Sequence, residues 1–201
     1  MKIYRNPMKI YLILAFFAVL SYSANLRTEC SACKPETSKL ISAVKAGFPV
    51  TFSSVWRSDH DAYRLDEVRV SGEPKANVGA WCSAVLDTNQ WIQVSSLEPK
   101  YWTGVTTQGR SDPYDCKQWV KKYTVKYTLD GENWYLADDG KVFNGNSDET
   151  TKVTNEFCEP IYARTIRICP QEWNEHISMR FEAYFMNDTL WPKWLELDIY
   201  N

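Results

Sequence analysis

Between Trp56 and Tyr63 the chain reads Trp-Arg-Ser-Asp-His-Asp-Ala-Tyr, setting two flat aromatic rings around a guanidinium, two carboxylates and an imidazole. That mixture suits sugar recognition: ring faces stack on the apolar side of a pyranose while short polar groups bind its hydroxyls. Arg110, Asp112, Tyr114 and Asp115 repeat the chemistry further along. His60, between Asp59 and Asp61, also has the chemistry of a metal ligand, although a solitary histidine with acidic neighbours is more often a surface residue. Catalysis finds no comparable support. The chain has two histidines, no G-x-S-x-G, no H-E-x-x-H and no phosphate-cradling glycine loop. Asp138 and Asp139 sit beside Gly140 and read as turn residues, His176 reads as structural, and Ser111 breaks an Arg-Gly-Asp-like run at Gln108 to Asp112.

The elements that hold these residues are strands. The composition is 44% hydrophobic and 14% aromatic with 24% charged residues, enough for a packed core and weighted toward β structure. Tyr123, Val125 and Tyr127 alternate with Thr124, Lys126 and Thr128. Ile177, Met179, Phe181, Ala183 and Phe185 alternate with Ser178, Arg180, Glu182 and Tyr184. Period-two patterning of this kind gives one face to the core and one to water. Further strands are predicted at Val50 to Ser54, Trp91 to Ser95, Trp102 to Thr107, Trp134 to Ala137, Thr151 to Phe157 and Ala163 to Ile168. Asp130-Gly131, Asp139-Gly140 and Asn144-Gly145 mark turns. Only Thr37 to Gly47 has a helical pattern, so an α/β fold is excluded.

Residues 1–23 have the form of a secretory signal peptide: Lys2, Arg5 and Lys9 precede an apolar run from Ile10 to Leu20, and Ser21 and Ser23 suit a cleavage site. Without that leader the chain carries 20 Lys and Arg against 25 Asp and Glu, an acidic secreted protein. No basic stripe exists to neutralise phosphates, which excludes nucleic acid as a partner. All six cysteines follow the leader, and an even count in an oxidising compartment reads as three disulfides. Only Cys30-x-x-Cys33 has the spacing of a zinc site, and no second such pair completes one. Residues 24–39 form a Cys-containing lead, 40–186 the single domain, and 187–201 a tail with Trp191, Pro192 and Trp194. Asn187-Asp188-Thr189 is an N-glycosylation sequon.

Several motifs in order resemble a known family. They are Gly79-Ala80-Trp81-Cys82, Asn89-Gln90-Trp91-Ile92-Gln93-Val94, Thr103 to Arg110, Trp119-Val120, Asp130-Gly131 with Asn133-Trp134, Val142 to Asp148, Pro160 to Ile168 and Trp173 to Glu182. Together they resemble the discoidin domain, also known as the C-terminal domain type of coagulation factors V and VIII, over residues 48–186. The segments Ala80 to Gln90 and Trp173 to Tyr184 are most similar to the N-terminal domain of slime-mould discoidins, which carry a second lectin domain that this chain is too short to contain. The resemblance implies an all-β jelly-roll sandwich of eight core antiparallel strands, with loops at one end forming the ligand surface.

On that fold the loops Trp56 to Arg64, Cys82 to Gln90 and Gly109 to Lys117 should converge. The resemblance then implies a ligand surface of Trp56, Asp59, His60, Asp61, Tyr63, Arg110, Asp112 and Tyr114, facing galactose-related glycans on cells or matrix. It also implies a Cys82–Cys116 disulfide, and a structural calcium ion between Asp66 and Glu182, although Glu67 replaces the usual glycine. The closing disulfide of the family has no counterpart, since the last matching position is Met186; Cys30 and Cys33 pair with each other or with Cys158 or Cys169. Relatives also dock on phosphatidylserine or on extracellular matrix proteins. The three loops sum to a charge of −1, and each basic residue near an anionic surface contributes only about 1 kcal/mol, so the lipid reading ranks second to glycan. A shallow sugar site is weak by itself, which points to a homo-oligomer for adhesion.

Overall fold

The computed structural model describes residues 40–57, 63–66, 79–111 and 116–187. The signal peptide, the lead to residue 39, Asp59, His60, Asp61, Asp112, Tyr114 and the tail from 188 lie outside the described residues. Nine strands are described: β1 Leu40–Ser42, β2 Val50–Phe52, β3 Trp81–Cys82, β4 Ile92–Gln108, β5 Trp119–Thr128, β6 Tyr135–Leu136, β7 Phe143–Asn144, β8 Val153–Asn174 and β9 Ser178–Met186. They pair in the order β1-β9-β4-β8-β5-β6, with β2 on β4, β3 on β9 and β7 on β5, every ladder antiparallel.

Two strands bind the layers together. The first part of β4, Ile92 to Ser95, pairs with β2 and with Thr165 to Ile168 of β8. Its second part, Gly104 to Gln108, pairs with Val153 to Glu156 of β8 and with β9. Register shifts between Ser95 and Lys100 and again between Trp102 and Gly104 mark the bend. Four segments that read as separate strands in the sequence are therefore two long bent ones, because the breaks at Leu97 to Pro99 in β4 and between Glu156 and Ile161 in β8 are absorbed by bulging. Trp81, Ile92, Trp102, Val105, Tyr123, Val125, Ile166, Ile168, Met179, Phe181 and Phe185 fill the space between the layers. Buried indoles keep their polar handles satisfied: Trp81 Nε1 donates to Ser54 O at 3.0 Å and Trp102 Nε1 to Ala163 O at 2.8 Å.

The helical expectation at 37–47 is corrected where it is described. Leu40 to Ser42 pairs with Tyr184 to Met186, and the chain then turns through Gly47 at a φ of +85°. The solvent face expected for β9 is also corrected, since Ser178, Arg180 and Glu182 are all buried. Each has a neighbouring segment over it. Glu182 accepts backbone N–H bonds from Val44, Lys45 and Ala183 at 2.7, 3.0 and 3.0 Å. Arg180 donates to Gly109 O at 2.7 Å and to Glu149 O at 2.8 Å. A buried charge is tolerated when its hydrogen bonds are made in this way.

Candidate functional site

One end of the sandwich gathers four segments: the stretch after β2, the loop after β3, the loop between β4 and β5, and the β8–β9 turn. Hydrogen bonds tie them in series. Trp56 N donates to Cys82 O at 2.8 Å, Ser83 N to Ile177 O at 3.1 Å, Ser111 N to Gly79 O at 3.0 Å and Arg110 N to Gln118 O at 2.9 Å. Ser53 and Ser54 hydroxyls both donate to Gln90 Oε1, at 2.8 and 2.5 Å, and Gln90 Nε2 donates to Asp87 Oδ1 at 2.8 Å. The site end is thus built from loops that share a backbone frame.

On that frame the Trp56 ring is 46% exposed, with the His176 imidazole packed at its edge, centroids 5.7 Å apart at 75°. The Arg57 guanidinium lies 5.8 Å from the same indole. His176 Nδ1 lies 3.2 Å from Ile177 O and 3.4 Å from Ser178 Oγ, and a neutral imidazole keeps one ring nitrogen as an acceptor. Burial holds the imidazole below its ordinary pKa, the Ile177 carbonyl opposes this in part, and the Arg110 charge adds a smaller lowering. His176 is therefore neutral at physiological pH. Arg110 Nη1 donates to Gln118 Oε1 at 2.7 Å, and Ser178 Oγ sits 3.0 Å from the same oxygen. The result is an exposed aromatic face beside a neutral acceptor and a braced guanidinium, which can stack a ring and exchange hydrogen bonds with its hydroxyls.

The expected residues divide. Trp56 and Arg110 come together at this end, through His176. Tyr63 does not join them: its ring packs edge-on against Phe52 at 5.6 Å, its carbonyl accepts from Phe181 N, and it belongs to the margin of the core. Cys82 and Cys116, expected to form a disulfide, are both thiols. The β3–β9 register sets Cys82 opposite Ser178, and its sulfur lies 3.2 Å from that hydroxyl inside the sheet. Cys158 is disulfide-bonded.

Asp66 and Glu182 do not fit the expected calcium ion. Glu182 spends its oxygens on the three backbone N–H groups above, and Asp66 pairs with Lys152 at 2.5 Å. Among the described residues no group of three or more His, Cys, Asp or Glu gathers as a metal cage. His176, Gln118 and Ser178 are the site residues that sequence reasoning missed. They lie far from Trp56 along the chain, and only the antiparallel entry of β9 beside β3 brings them to the same end.

The family model for the F5/8 type C domain matches residues 49–183. The chain belongs to the F5/8 type C domain family. Discoidin-2 of Dictyostelium discoideum is 46% identical over 105 residues, 52% of this chain and 40% of that protein. Human EGF-like repeat and discoidin I-like domain-containing protein 3 is 33% identical over 186 residues, 88% of this chain and 38% of that one. The solved structure of recombinant discoidin II from Dictyostelium discoideum superposes with a TM-score of 0.67 at 35% identity, covering 74% of this chain and 59% of that one. This F5/8 type C chain therefore spans about two fifths of the length of these curated relatives. The likeness shows the jelly-roll sandwich.

Proposed function

We propose that this F5/8 type C domain is a secreted adhesion or recognition module that binds galactose-related glycans at the rim around Trp56. The observation that carries the reading is the half-exposed Trp56 ring, fixed at its edge by His176 and set near the Arg110–Gln118–Ser178 network. A pyranose laid on that indole would place its hydroxyls within reach of an acceptor imidazole and a guanidinium donor, the pairing that sugars require. The sequence puts Asp59, His60 and Asp61 just after Trp56, and Asp112 and Tyr114 just after Arg110, as further hydroxyl partners. Weak single-site affinity makes several copies the working unit in adhesion.

A second reading, docking on anionic phospholipid, is favoured by one observation: Val85 and Leu86 in the loop after β3 are about half exposed. Apolar tips of that kind insert into a bilayer, but firm attachment needs a basic partner as well. A glycan array and phosphatidylserine vesicles, each probed with the wild-type protein and with Trp56→Ala, separate the two. Wild-type binding to galactose-bearing spots that Trp56→Ala loses, with the fold intact by circular dichroism, is the expected result. Vesicle binding without array binding selects the lipid reading, and array binding that survives Trp56→Ala rejects the site.

A further inference from the structure

The outer face of the sheet formed by β2, β4, β8, β5 and β6 carries a cationic feature that the rim does not use. Arg167 of β8 stacks its guanidinium on two indoles, 4.0 Å from the ring centre of Trp91 and 3.6 Å from that of Trp134. Its Nε donates to Gln93 Oε1 at 2.8 Å, which fixes the rotation of the fork. The residue is half-buried, and its terminal nitrogens have no hydrogen-bond partner among the described residues. Register pairing places Gln93, Arg167 and Lys126 side by side across β4, β8 and β5, so the Lys126 ammonium shares the face. No carboxylate among the described residues pairs with either cation. The thiol of Cys169, which lies near both, is kept protonated by burial and supplies no counter-charge.

We propose that the Arg167 fork, with Lys126 beside it, is a second ligand site on the sheet face that takes a sulfate ester of an acidic glycan. A guanidinium whose plane and rotation are already fixed presents two parallel N–H donors to a tetrahedral oxyanion at little further entropic cost. Lys126 adds a point charge, and the indole borders offer apolar surface to the sugar ring that carries the sulfate. The two sites are independent in composition, so one chain can hold a neutral sugar at the rim and an acidic one on the sheet.

The test uses the full chain against immobilised heparin and against its desulfated form, with wild type, Arg167→Lys, Lys126→Glu and Trp56→Ala. Wild type is expected to bind the sulfated chain only. Lys126→Glu should cost about tenfold in affinity by replacing an attraction with a repulsion, and Arg167→Lys at least about fivefold by removing the fork while keeping the charge. Trp56→Ala should bind as wild type does, which separates this proposal from the rim reading. Equal binding to desulfated heparin, or unchanged affinity in Lys126→Glu, overturns the proposal. So does transfer of the Lys126 and Arg167 dependence to phosphatidylserine vesicles with no heparin binding. Should Arg167→Lys fail to fold, the part-buried Lys126 decides the matter alone.

Discussion

At the scale of single residues, the buried polar groups of β9 do the organising. Arg180 bonds the carbonyls of Gly109 and Glu149, one in the loop that leads to Arg110 and one in the β7–β8 connection. Arg180→Met would keep the volume but strip those carbonyls of their donors inside the protein. The expected loss is about 2–4 kcal/mol, measured by urea unfolding with unchanged m-value. Glu182 makes a pH-dependent contribution of the opposite kind to most carboxylates here. Burial raises its pKa, against the smaller lowering by its three backbone donors. The folded carboxyl therefore holds its proton to higher pH than the unfolded one, and stability falls as pH climbs from the ordinary glutamate value through the raised one. Asp66, Asp130, Asp148 and Glu172 have lowered pKa values and cost stability as pH falls below the ordinary carboxylate range. In a pH series of unfolding curves Glu182→Gln should remove the first slope and keep the second. Persistence of the first slope in the variant assigns it elsewhere.

Elements show which parts of the fold a sequence can reveal. The alternation at Tyr123 to Thr128 located β5 because Tyr123 and Val125 are buried in the core while Thr124 and Lys126 are only part-buried, although Thr128 at its end is buried as well. Asp130-Gly131 located its hairpin because Asp130 accepts from the N–H groups of Glu132 and Asn133, a bond set that is local in sequence. Non-local facts were invisible. Ser178, Arg180 and Glu182 look like a solvated face, and only the loops that fold over β9 make them interior. The Thr37 to Gly47 pattern looked helical, yet its first described residues add a strand to β9, where ladder pairing outweighs local preference. The sulfur direction of Cys82 follows from β3–β9 register, which no local pattern encodes. Two glycines test how the connecting segments are held. Gly79 and Gly131 both have positive φ, +72° and +87°, but a side chain at Gly79 would run into the Ser111 carbonyl whereas nothing lies within 4 Å at Gly131. Gly131→Ala should cost about 1 kcal/mol from the backbone alone. Gly79→Ala should cost more, and should also weaken glycan binding, because the Gly79 carbonyl holds Ser111, next to Arg110 in the β4–β5 loop. Equal effects of the two substitutions on stability would show that the Gly79–Ser111 approach is not tightly held.

At the scale of the whole molecule, the described sandwich carries two chemically different surfaces: a rim with an exposed indole beside a neutral imidazole, and a sheet face with a braced guanidinium. Family and fold were readable from motif order, whereas the approach of His176, Gln118 and Ser178 to the Trp56 end emerged only when distant strands met. Oligomerisation would multiply both surfaces, and linked weak sites gain avidity without new contacts. The most direct measurement of the central claim is a titration of the isotopically labelled protein with lactose, followed by NMR at the Trp56 indole and His176 imidazole. The account predicts saturable shifts at both, with the Trp134 indole unmoved. Shifts that bypass Trp56 and His176, or no shifts at millimolar lactose, would contradict it.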